Sequence, residues 1–225
     1  MTPKIILITG AGRGIGFETA RQLHDEGHTV LLGVRSGRTP GFAPEERWLT
    51  LKLDVTRQPD IDAAADFIQK KFGRLDVLIN NAGIGIGNKS LDQADVEEVK
   101  SIFDVNFYGP MRMNISCVSL LKKSDNARII NVSSQMGALA ELSSGYAGYR
   151  LSKAGLNAQT MLLANELRST GIRVVSVCPG WVKTDMGGAG APRPVTEGAA
   201  GIVWLATSDR IETGSFYHDR EVIPW

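Results

Sequence analysis

Tyr149 and Lys153 stand four positions apart in Tyr149-Arg150-Leu151-Ser152-Lys153, a run that reads as the opening of a helix. Residues at i and i+4 share one helical face, so the phenol and the ammonium point the same way. A free tyrosine titrates at about pH 10 and is a poor acid–base group at neutral pH. A neighbouring ammonium favours the phenolate and draws that pKa down, towards the range of general acid–base work. Such a pair is common by chance, and two further segments give it weight. Asn131-Val132-Ser133-Ser134 ends a strand-like run, and a hydroxyl there can hold a carbonyl oxygen while Tyr149 protonates it. Ser134 is the better choice than Ser133, because the second serine leaves the strand. Asn106 is polar within an apolar helical stretch. It either binds a water that passes protons to Lys153 or kinks the helix.

A second group of residues suits a phosphate-bearing ligand. Thr9-Gly10-Ala11-Gly12-Arg13-Gly14-Ile15-Gly16 follows one strand-like run and leads straight into a helix. Glycines let the backbone approach a diphosphate closely, and the helix N-terminus offers free N–H groups and positive dipole character. The spacing is G-x-x-x-G-x-G through Gly10, Gly14 and Gly16, with Gly12 and Ile15 inside the turn. The next strand ends Gly33-Val34-Arg35, without the acid that an NAD site places there to accept from the ribose 2′-hydroxyl. Arg35, with Arg13 from the turn, can instead pair with a 2′-phosphate through charge-assisted hydrogen bonds. The expected cofactor is therefore NADP(H) in preference to NAD(H).

These side chains need a scaffold that gathers strand ends and helix starts, and the chain alternates the two element types. Strands are expected at Lys4–Thr9, Thr29–Val34, Trp48–Leu53, Val77–Asn80, Arg128–Ser133, Arg173–Val177 and Ser215–Tyr217. Helices are expected from the glycine turn to Glu26, over Ile61–Phe72, Val96–Lys122, Tyr149–Ser169 and Glu197–Thr207, with a break near Gly109–Pro110. This alternation, with strands rich in Val, Ile and Leu, predicts one doubly wound α/β domain over residues 1–225. Its parallel sheet has about seven strands, helices on both faces and right-handed crossovers. Gly187–Pro194, rich in Gly, Ala and Pro, reads as a flexible loop.

Composition narrows the function classes. Basic and acidic residues number 25 and 24, so the basic excess of a nucleic-acid or membrane-surface protein is missing. No run approaches the roughly 20 apolar residues that span a bilayer, and no targeting segment is visible, so a cytoplasmic protein is expected. Cys117 and Cys178 sit in apolar segments and read as buried reduced thiols. With no secretory signal, the Asn-x-Ser matches at Asn88, Asn114 and Asn131 carry no weight as glycan acceptors.

Taken in order, Thr9–Gly16, Asp54-Val55, Asn80-Asn81-Ala82-Gly83, Asn106, Ser134, Tyr149-x-x-x-Lys153 and Pro179-Gly180-Trp181-Val182-Lys183-Thr184 make the chain resemble, nearly end to end, a short-chain dehydrogenase/reductase. The resemblance implies a Rossmann fold, an Asp54 that bonds the adenine amino group and an Asn81 that supports the central strand beside the cofactor. It also implies that Lys153 holds the nicotinamide ribose and that Thr184 bonds the carboxamide or a phosphate. Val55, Ala82, Gly83, Pro179, Gly180 and Val182 join the cofactor-binding set. Within the family, Cys178–Gly188 and the terminal Trp225 are similar to monomeric NADPH-dependent carbonyl reductases. The long insertion those enzymes carry before the tyrosine is absent, since only residues 135–148 separate Ser134 from Tyr149. A homodimer or homotetramer is therefore expected, through the helices at Asn106–Lys122 and from Tyr149. The implied reaction is reduction of an aldehyde or ketone. Gln135, Met136, Leu142, Trp181 and Met186 suggest an apolar or aromatic carbonyl substrate. The competing readings are a 3-oxoacyl reductase, an NAD(P)-dependent alcohol dehydrogenase and a non-catalytic NADP-binding regulator.

Overall fold

The computed structural model describes residues 2–38, 46–85 and 87–225. Strands β1 (Ile5–Thr9), β2 (Thr29–Val34), β3 (Trp48–Lys52), β4 (Val77–Asn80), β5 (Arg128–Val132), β6 (Arg173–Cys178), β7 (Phe216–His218) and β8 (Glu221–Ile223) form one sheet in the order β3-β2-β1-β4-β5-β6-β7-β8. Neighbours run parallel as far as β7, and β8 returns antiparallel to it. The α-helices are α1 (Gly14–Asp25), α2 (Gln58–Phe72), α3 (Val96–Phe103), α4 (Gly109–Leu121), α5 (Ala147–Glu166) and α6 (Val195–Thr207).

Successive strand residues point to opposite faces. In β1, Ile6 and Ile8 pack with Leu23 of α1 and with Ile202 and Leu205 of α6. Leu7 faces the other layer, with Ile61 and Ile68 of α2, Met113 and Cys117 of α4 and Ala164 of α5. Both faces are covered, which is why the strands show no polar alternation. The winding reverses between β1 and β4, and a sheet of this kind offers a crevice beyond its carboxyl ends at that point. Thr9, Asn80, Val132 and Cys178 end the four central strands at that crevice.

Four local expectations are corrected. There is no break at Gly109–Pro110: α3 passes through a π-helical turn, Asp104–Tyr108, directly into α4. Pro110 is tolerated in the first turn of α4, and Gly109 is required by packing, because a Cβ there would stand 2.8 Å from Val55 Cγ2. Helix α5 starts two residues early, after Gly145 and Tyr146 at φ 77° and 53°, and ends at Glu166. The strand β8 was hidden because it is short and outward-facing, with Val222 56% exposed. It is reached through a tight turn in which Asp219 and Arg220 adopt the positive φ that glycine or asparagine usually takes. Finally, 187–194 is tied down. Val182 and Arg193 form a bridge at its base, Ala191 is buried, and Arg193 makes two 2.6 Å bonds to Asp219 in the β7–β8 turn. Both cysteines are free and buried. Among the described residues no helix is long and apolar enough to cross a membrane.

Candidate active site

Helix α5 can carry Tyr149 and Lys153 into the crevice because one of its faces is stripped of bulk. Cβ atoms at Gly148 and Gly155 would approach Ile102 Cδ1 and Phe107 Cδ2 to 2.9 Å each. On this face, at i, i+4 and i+7, lie Gly148, Ser152 and Gly155, and α3 and the π turn press against them. The opposite contact is as close. A Cβ at Gly137 would stand 2.6 Å from the Lys153 backbone carbon and 2.7 Å from Ala154 N. The short 3-10 turn Gln135–Gly137 therefore lies flush on α5, capped by Ser134, whose Oγ accepts from Met136 N at 3.2 Å. Ser133 is buried and donates to the Lys153 carbonyl at 3.4 Å, whereas Ser134 stays partly exposed beside Tyr149.

Lys153 is buried, donates to the Val132 carbonyl at 2.8 Å and lies 5.7 Å from the Tyr149 ring centroid. Burial pushes its pKa down to about 8. The expected lowering of the Tyr149 pKa is not found. Desolvation pushes the phenol up to about 12, and the Ser134 hydroxyl pulls the other way. Two groups sharing a desolvated pocket each lose their charged form more readily than one ionises the other.

Asn106 sits in the π turn, fully buried. Its Oδ1 accepts from Ile84 N at 2.8 Å, and its Nδ2 donates to Ile84 O and to Ser152 Oγ at 2.9 and 3.0 Å. Ser152 in turn donates to the Tyr149 carbonyl. The side chain is thus committed to stitching the loop after β4 onto α5. Asn81 makes the matching stitch to the glycine turn, with Nδ2 donating to the Thr9 and Gly10 carbonyls at 2.9 and 3.2 Å. Thr9 Oγ1 accepts from both Asn81 N and Ala82 N at 3.0 Å. Below the crevice a buried polar chain fixes the strand ends. Asn80 donates to Asn131, Asn131 donates to Thr160, and Thr160 bonds Ser176, at 2.8–2.9 Å. Gly83 lies above it, where a Cβ would be 3.4 Å from Asn106 Oδ1 and 3.6 Å from Lys153 Nζ.

The glycine turn forms a cradle that side chains would fill. Cβ atoms would come within 2.8 Å of Ala82 Cα at Gly10, 2.9 Å of Val34 Cγ1 at Gly12 and 2.3 Å of Asn81 Nδ2 at Gly16. Gly10 and Gly14 also take positive φ. The N-terminus of α1 has no acidic residue in its first turn, and Ile15 packs against the core. This donor set and cradle fit the diphosphate of a dinucleotide. At the turn's outer side Arg35 is exposed and has no ion pair among the described residues. Asp54 accepts from Thr56 N and Oγ1 at 3.0 and 2.7 Å. Burial alone would raise its pKa, but these bonds and the Arg35 and Arg57 charges hold it below the ordinary carboxylate range. Val55 is buried against Gly109.

Beyond β6, Gly180 takes φ 80° and Val182 is buried against Gly198, while the Pro179 carbonyl accepts from Arg193. Thr184 lies over the turn, its Cγ2 3.4 Å from where a Gly14 Cβ would be. Next to it, Asp185 pairs with Arg13. Arg13 is therefore engaged by a carboxylate, a contact that neither local sequence announces. Around the mouth Leu142, Trp181 and Met186 are exposed. Met186 Sδ and Tyr149 Cδ2 each lie 3.5 Å from the Cβ position of Gly85, so both side chains border that glycine. Gln135 turns inward to Cys178 Sγ, at 3.7 Å. Trp225 stacks on Phe216, with ring centroids 5.5 Å apart. A groove of about 650 Å³ against α3 and α4 contains none of these side chains.

Comparison with known proteins agrees with this geometry. Residues 4–193 match the family model described as short chain dehydrogenase. The chain is 32% identical to (+)-neomenthol dehydrogenase of Arabidopsis thaliana, covering 98% of each protein. The NADPH-bound carbonyl reductase from chicken fatty liver superposes with a TM-score of 0.88 at 28% identity, over 100% of both chains. The 3-ketoacyl-(acyl-carrier-protein) reductase of Brucella melitensis, complexed with NADH, superposes with a TM-score of 0.86 at 28% identity, over 96% of each.

Proposed function

The chain belongs to the short chain dehydrogenase family and is an oxidoreductase, and from that premise we propose that it reduces aldehyde and ketone carbonyls with NADPH. The observation that carries this reading is the placement of Ser134 and Tyr149 side by side above a buried Lys153, at the crevice edge next to the glycine cradle. The nicotinamide cofactor supplies the hydride. Gly10, Gly12, Gly14 and Gly16 admit its diphosphate, and Asp54, Asn81, Thr184 and Lys153 line the rest of its path. Ser134 holds the carbonyl oxygen by donating to it. Tyr149, protonated at neutral pH, gives the oxygen its proton, and the Lys153 ammonium steadies the phenolate that remains. Asn106 acts by fixing the loop and α5 relative to each other. Met186, Leu142 and Trp181 offer the substrate apolar contacts, which favours a hydrophobic or aromatic carbonyl.

Preference for NADPH rests on Arg35, an exposed cation at the end of β2 where no carboxylate replaces it. The test follows the loss of NADPH and NADH absorbance with a panel of aldehydes, ketones and a 3-oxoacyl thioester, running Arg35→Ala beside the parent. Arg35→Ala should raise KM for NADPH roughly tenfold, the value of one charge-assisted hydrogen bond, and leave NADH unchanged. Equal use of both cofactors by the parent would sink the preference. Turnover of the thioester alone would replace the substrate class with 3-oxoacyl reduction. Tight NADPH binding without turnover would favour a regulator. The same reading places the protein in the cytoplasm, in keeping with its two free thiols. It also pairs copies through α4 and α5, where Ile115 and Leu162 are exposed. A clean monomer by light scattering would remove that assembly.

A further inference from the structure

Two arginines stand near the outer side of the glycine turn, and they differ in state. Arg35 is without an ion pair among the described residues, whereas Arg13 is held by Asp185, with Nη1 and Oδ2 2.5 Å apart. Both partners are largely exposed, at 74% and 72% of their side-chain surface, so the pair is not needed to satisfy a buried charge. It spans distant parts of the chain, joining the residue just before α1 to the segment just past Thr184. That segment has little freedom of its own. The Val182–Arg193 bridge and the Arg193–Asp219 pair close its base, and Gly187 N donates to Thr184 Oγ1 at 3.0 Å. Asp185 is thus presented to Arg13 by a braced loop.

We propose that Asp185 weakens the preference for NADPH by competing with the dinucleotide 2′-phosphate for Arg13. The inference rests on the cofactor reading above and adds a residue to it. A 2′-phosphate carries more negative charge than a carboxylate and offers more acceptor oxygens, so it draws Arg13 away from Asp185 when NADPH binds. NADH has only a 2′-hydroxyl and leaves the pair intact. Asp185 therefore costs NADPH some of its advantage and costs NADH nothing.

The experiment measures NADPH and NADH affinity by fluorescence titration for the parent, Asp185→Asn, Arg13→Ala and the double variant. Asp185→Asn should tighten NADPH binding about two- to fivefold, the range of an exposed ion pair, and leave NADH unchanged. The gain should vanish in the Arg13→Ala background and shrink as salt rises. An equal effect on both cofactors, a weakening of NADPH, or a gain that persists without Arg13 would overturn the proposal. If the parent binds NADPH and Asp185→Asn binds it identically, this inference alone fails. If the parent binds neither dinucleotide, the cofactor reading fails and takes this inference with it.

Discussion

Tyr149→Phe is expected to lower kcat for carbonyl reduction by about 10²–10⁴-fold, the range that general acid catalysis contributes, while NADPH affinity stays near that of the parent. The ring remains in place, and only the proton donor is lost. Its high pKa, about 12, keeps the phenol protonated at neutral pH, which suits donation. Lys153 gives the profile its sign. Burial sets its pKa at about 8, so its ammonium is present below that value and is lost as pH rises through it. The reduction rate in the parent should then decline above about pH 8, because the phenolate left by proton transfer loses its cation. Retention of more than a tenth of parental kcat by Tyr149→Phe, with cofactor still bound, would show that the proton comes from elsewhere.

Gly137→Ala should have the next largest effect, although residue 137 touches no reacting atom. Its Cβ would collide with backbone of Lys153 and Ala154, which cannot swing aside as a side-chain tip can. The turn Gln135–Gly137 must lift from α5, and Ser134 at its cap moves away from Tyr149. A displacement of about 1 Å between reacting groups costs roughly 10²-fold in rate. Overpacking of this kind also removes about 1–3 kcal/mol of stability. Stopped-flow turnover beside a cofactor titration and a thermal melt would separate these effects. The expected pattern is a large fall in kcat, a lower Tm and an almost unchanged Kd for NADPH. A parental kcat would mean that the turn yields without moving Ser134.

The parallel strands were legible because burial on both faces writes continuous runs such as Ile5–Thr9 and Val77–Asn80 into the chain. The glycine turn and the Tyr149–Lys153 pair were legible because their chemistry depends on local spacing. What escaped depends on partners far away in the sequence. Gly109 and Pro110 look like a helix stop until Val55 is seen against the glycine. Gly137 looks like an ordinary turn residue until α5 is laid on it. Thr9 reads as the end of a strand, yet its hydroxyl receives two N–H groups from the loop after β4. Composition alone makes 187–194 look soft, and Arg193 overrides that by bracing the segment on Asp219. The Tyr149 pKa departs from expectation for a related reason: proximity of a cation can be read from spacing, but depth cannot.

The π turn at Asp104–Tyr108 carries one residue more than an ordinary helical turn needs, and that surplus acts as a gear offset between α3 and α4. Each helical residue advances the side-chain direction by about 100°. Deleting any one residue from the turn would restore regular winding and swing either Met113 and Cys117 out of the layer they share with Leu7 and Ile61 or Ile102 off Gly148. The two helices can satisfy both neighbours only with this chain length between them. Changes in length are therefore absorbed more readily by the surface connections, while the stretch holding Asn106 works as a fixed-length part.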